Sequence, residues 1–111
     1  MKNQRKMALL AAAMIEDYPD VVSGYVVDAR IESLHLMGNV FKAFGYRNGE
    51  SLVSTEIMQI MLFSPDRWML KTRDDEFFVI ASFARGGRQS IENLAEKFEA
   101  ARLSHSLWHV H

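Results

Sequence analysis

The chain has 111 residues, of which 49% are hydrophobic and 24% charged, a length and balance that fit one globular domain and exclude a chain too polar to fold. Thirteen basic and fourteen acidic side chains nearly cancel, so no whole-molecule field gathers nucleic acid or an anionic membrane, and neither is expected as a partner. Cysteine is absent, which excludes disulfides, thiolate nucleophiles and thiolate metal sites and suits a cytoplasmic, reducing compartment.

Lys2, Arg5 and Lys6 precede an apolar run from Met7 to Ile15. This has the outline of a signal peptide, but Ala11 to Ala13 lie inside the run, and Met7, Leu10, Met14 and Tyr18 form a helical stripe. An amphipathic helix over about residues 3–17 explains the same residues, with Pro19 as its stop. No apolar run approaches the ~20 residues needed to span a bilayer.

Val21 to Asp28 is apolar on both faces and predicts a central strand; a turn over residues 28–32 leads to a second strand, Ser33 to Met37. Gly38 to Gly49 lacks periodicity and reads as a loop with buried aromatic anchors. From Glu50 to Phe63 the spacing of Val53, Ile57, Ile60 and Met61 predicts a second helix, with Leu52, Met58 and Leu62 widening its apolar arc. Arg67 to Arg73 alternates as a half-exposed edge strand, and Phe77 to Phe83 reads as a strand apolar on both faces. After Gly86 and Gly87, Ile91, Leu94, Ala95, Phe98 and Ala101 mark a third helix, and residues 104–111 are left as a tail outside an ordered core of about residues 7–103.

The order helix-strand-strand-helix-strand-strand-helix, with strands that need cover on both faces, predicts an α+β fold. Its form is a three-layer α/β/α sandwich around one mostly antiparallel sheet within a single domain, residues 1–111.

The opening helix that runs into Asp20-Val21-Val22-Ser23-Gly24-Tyr25-Val26-Val27-Asp28, and the last strand that passes through a glycine loop into an amphipathic helix, resemble the Roadblock family of dynein light chains over about residues 7–103. The resemblance implies a noncatalytic, regulatory, homodimeric module that docks on a partner such as a small Ras-like GTPase, or scaffolds a signalling or motor assembly. Independently, the broad arc of the expected second helix and the expected edge strand place a homodimer interface on Ile57, Ile60, Met61, Trp68 and Leu70. Arg67, Lys71, Arg73, Arg85 and Arg88 form the one basic patch the sequence offers, for an acidic partner or an anion. Phe41, Phe44 and Tyr46 would line an apolar pocket if the chain instead bound a small molecule.

No catalytic group, cofactor or metal site is expected. There is no G-x-S-x-G elbow, and His35, between Leu34 and Leu36, reads as a surface or satisfied histidine. His105, His109 and His111 have the spacing of incidental metal ligands, but no carboxylate accompanies them. Asp74, Asp75 and Glu76 read as a solvated turn. The glycines at 86 and 87 lack the spacing of a phosphate-binding loop.

Overall fold

The computed structural model describes residues 2–63 and 66–108. Helix α1 (Lys2–Met14) is followed by strands β1 (Gly24–Glu32), β2 (His35–Phe41), β3 (Glu50–Phe63), β4 (Arg67–Thr72) and β5 (Phe77–Ile80), and then by helix α2 (Gly87–Trp108). Each strand pairs antiparallel with the next. In such a meander the first and fifth strands run the same way. A five-stranded barrel therefore closes only through a parallel seam, here Gly24 with Phe78, Tyr25 with Val79 and Val26 with Ile80. The α+β class and the mostly antiparallel sheet are as the sequence predicts, but the helix expected over residues 50–63 is strand β3, and the sheet is a barrel with two helices rather than the middle layer of a sandwich.

Three bulges bend these strands enough to close. On β1 the register with β2 slips between Val27 and Arg30, where Asp28 takes a left-handed φ of 56°. The residues expected as a turn thus continue the strand to Glu32, and the turn comes at Ser33. Strand β3 slips twice, once against β2 opposite Leu36 and once against β4 beside Met58. Each slip adds a residue to β3, bends it and flips the alternation of its faces. The buried positions consequently fall at Leu52, Ser54 and Ile57, with Ile60 packed against the inner cluster, and the two steps of three residues imitate helical spacing.

Side chains fill the barrel, as expected for so few strands. Val26, Leu36, Val40, Leu52, Leu70 and Phe78 meet inside, and Ile91 and Leu94 of α2 join them. Among the described residues, two polar side chains are buried, Ser54 and Thr72. Ser54 Oγ accepts from the amide of Leu36 at 2.9 Å and donates to the carbonyl of Thr55 at 2.7 Å, so its burial leaves no orphan. A second cluster lies outside the barrel, where Val27, Met69, Phe77 and Val79 are covered by Leu10 and Ala13 of α1 and by Tyr18. Strands β1, β4 and β5 are therefore buried on both faces, which is why their sequences carry apolar residues at odd and even positions alike.

Ion pairs clasp the first twenty residues to the barrel: Lys6 to Asp28 at 2.6 Å, Glu16 to Arg67 at 2.6 Å and Asp20 to Lys71 at 3.1 Å. Helix α2 starts at Gly87, and Ser90 in its first turn ties helix to sheet by accepting from the amide of Ile31 at 3.0 Å. The helix runs on to Trp108, so residues 104–108 of the expected tail are helical, while His109 and His111 lie outside the described residues. Among the described residues, no helix is long and apolar enough to cross a membrane.

Candidate interaction surface

Of the five residues expected at a dimer interface, Ile60 and Trp68 line one cleft beside α2, and Ile57, Met61 and Leu70 do not join them. Ile57 is 2% exposed and Leu70 is fully buried, both inside the barrel with Trp68. Strand β4 is not an edge, because β3 and β5 flank it, so it has no free backbone with which to pair with a second copy, although Trp68 lines the cleft beside α2. Ile60 and Met61 are half-buried on opposite faces of β3, Ile60 toward the inner cluster and Met61 toward the cluster under α1.

The basic residues are dispersed and mostly neutralised. Arg67 is bound by Glu16 and also donates to the carbonyl of Ile80 at 3.0 Å. Lys71 lies between Asp20 and Asp75, and Arg73 contacts Glu56 at 3.2 Å. Arg88 forms a two-pronged pair with Asp66 at 2.6 and 2.7 Å and lies 5.0 Å above the ring of Phe83. The guanidinium groups of Arg67 and Arg88 hold the carboxyls of Glu16 and Asp66 below their ordinary range, and the Val21 amide followed by Lys71 does the same for Asp20. Arg67 and Arg88 line one cleft, beside α1, and Arg85 lines another, beside β2. A charge already matched by a carboxylate gives an incoming anion little to gain.

Phe41, Phe44 and Tyr46 diverge. Phe41 joins the cluster under α1, Tyr46 packs on the inner cluster, and Phe44 is fully exposed at the tip of the loop over residues 42–49. They close no common pocket. His35 is half-buried with Nδ1 2.8 Å from the carbonyl of Ser54, the satisfied histidine its sequence neighbours suggest. At the start of α2 the amide of Gly87 bonds the carbonyl of Ala84 at 2.8 Å and that of Ser90 bonds Gly86, so both are spent within the turn.

A surface of different composition lies between the second half of β3 and α2. Two adjoining clefts of 410 and 600 Å³ share Ile60, Ala95 and Glu99 and together make one groove. Met58, Ile60 and Leu62 supply the strand side; Ala95 and Phe98 supply the helix side. Met58 is 58% and Leu62 51% exposed, so this apolar floor faces solvent. Glu92, Glu96 and Glu99 follow one edge on successive turns of α2, and Arg102, at one end, is bound to Glu99. The sequence contains part of the signal for this face, since of the three residues that widen the expected apolar arc Met58 and Leu62 lie in the groove, while Leu52 is buried in the barrel. The glutamates carry no signal of their own, because the strand they border is known only from the fold.

Comparison of the chain with family models, with curated proteins and with solved structures found no match.

Proposed function

We propose that the chain is a noncatalytic, self-associating protein-interaction module that docks through the β3–α2 groove. The observation that carries this is the exposure of Met58 and Leu62 beside half-buried Ile60, on the strand that borders the clefts beside α2. Covering a large apolar side chain contributes roughly 1.5–3 kcal/mol, so leaving two uncovered side by side is costly unless something seats on them. Closure of the barrel removes free sheet edges, so association must work through side chains rather than by adding a strand. The Roadblock resemblance would add a small Ras-like GTPase in a cytoplasmic signalling or motor assembly as a further partner. That addition follows from sequence pattern alone, and the reading of the groove does not depend on it.

The test is solution mass by light scattering against the 12.7 kDa chain. The native chain is expected as a dimer at micromolar concentration, and Met58→Asp with Leu62→Asp as a monomer with an unchanged circular dichroism spectrum, because both side chains lie largely outside the core. A native chain that stays monomeric at millimolar concentration overturns the reading.

A further inference from the structure

We infer that the occupant of the β3–α2 groove is helix α1 of a second copy of this chain, each copy inserting its α1 into the other's groove. The inference rests on the docking reading above and adds to it the element that docks.

Charge complementarity carries it. Glu92 and Glu96 border the wider cleft, where no basic residue is among the described residues that line it, while Glu99 is paired with Arg102 at the end of the groove. Helix α1 has the opposite character: Lys2, Arg5 and Lys6 lie in its first half and there is no acidic residue along its length. Lys6 is committed to Asp28 of its own barrel, while Arg5 is exposed. The apolar surfaces match as well. Helix α1 buries only Leu10 and Ala13 and leaves Met7, Leu9 and Met14 exposed, with Ile15 just beyond its end 84% exposed. A helix apolar on nearly every side is suited to contact on two sides, and only one is filled by its own barrel.

The competing arrangement, groove against groove about a two-fold axis, brings Glu92 and Glu96 of both copies into one interface, and like charges facing each other oppose association. Exchange of α1 across the same axis puts basic against acidic twice. It also closes the assembly at two copies, because both docking elements of each chain are then used.

Sedimentation in 50 and 500 mM salt tests this. Arg5→Glu alone, and Glu92→Lys with Glu96→Lys and Glu99→Lys, are each expected to weaken self-association about tenfold or more, and combining them in one chain is expected to restore most of it. Ile15→Asp, at a position with little burial to lose, is expected to dissociate the dimer without any change of charge on the glutamate edge. Self-association of the native chain is expected to weaken at the higher salt. If Met58→Asp with Leu62→Asp dissociates the dimer while Arg5→Glu and Ile15→Asp leave its affinity within about twofold, the groove stands and α1 is not its occupant. A native chain that is monomeric overturns both.

Discussion

Gly87 stands where the barrel and α2 come closest. The bulge at Asp28 turns the carbonyl of Ala29 toward the helix, where it accepts from the amide of Ala84 at 3.0 Å. A methyl group on Gly87 would sit 2.0 Å from that oxygen, and both atoms belong to backbone that cannot rotate away. Gly86, its neighbour, has φ +77° with nothing within 4 Å of an added methyl. The two positions separate steric exclusion from backbone conformation. Gly86→Ala is expected to cost about 1 kcal/mol, the ordinary penalty for a left-handed alanine. Gly87→Ala, which must lift α2 from β1, is expected to cost about 2–4 kcal/mol and lower the melting temperature by roughly 10 °C or more. Equal losses in thermal unfolding of the two variants would mean that α2 moves away from the bulge at little cost.

At the scale of elements, α1 and the segment after it are held by charge as well as by packing. In the fold the carboxyls of Glu16 and Asp20 titrate below their ordinary values of 4.5 and 3.8, Glu16 chiefly through Arg67, and Asp20 chiefly through the Val21 amide and then Lys71. A lowered folded pKa contributes stability that is fully present above the ordinary value and is lost as pH falls through the folded one. Thermal stability is therefore expected to be flat from pH 7 to about 5 and to decline below about 4. Both groups are exposed, so screening keeps the effect small. Arg67→Gln should make the acid decline shallower, and an identical slope in that variant would show that Glu16 takes no part. These pairs also mark what the sequence hides. Residues 67 and 71 read as a free basic face because their carboxylates lie 51 positions earlier in the chain. Strands β4 and β5 are legible as strands because no bulge adds a residue to either, and α2 because its apolar stripe keeps one period, although β4 reads as an edge and lies between β3 and β5. Strand β3 is not, since its bulges replace steps of two with steps of three between Ser54 and Ile60. Its spacing therefore imitates a helix, and of the interface residues drawn from that stripe Ile57 points into the barrel, Met61 lies under α1 and Ile60 lines the groove.

Over the whole molecule, closure depends on a seam between strands more than fifty residues apart. The amide of Ser23 bonds the carbonyl of Phe77 at 2.7 Å, that of Ala81 bonds Val26 at 2.8 Å, and that of Ala29 bonds Ser82 at 2.9 Å. Such long-range pairing repays its loop-closure entropy only after the intervening hairpins exist, so the seam is expected to form late. Once formed, it shares its side chains with both clusters: Val26 and Ile80 face inward, while Val27 and Val79 lie under α1. Opening it would uncover both cores together. The amides of Ala29 and Ala81 are accordingly expected to exchange hydrogen as slowly as those of β4, at the rate of global unfolding, while the amides of α1, held by the buried side chains of Leu10 and Ala13 and by the Lys6–Asp28 pair, exchange at least about tenfold faster. The comparison bears on association too. If the seam amides exchange with α1 instead, the barrel opens along β1 and β5 and offers two sheet edges to a second copy. Association by strand addition, which the closed form forbids, would then compete with docking in the β3–α2 groove.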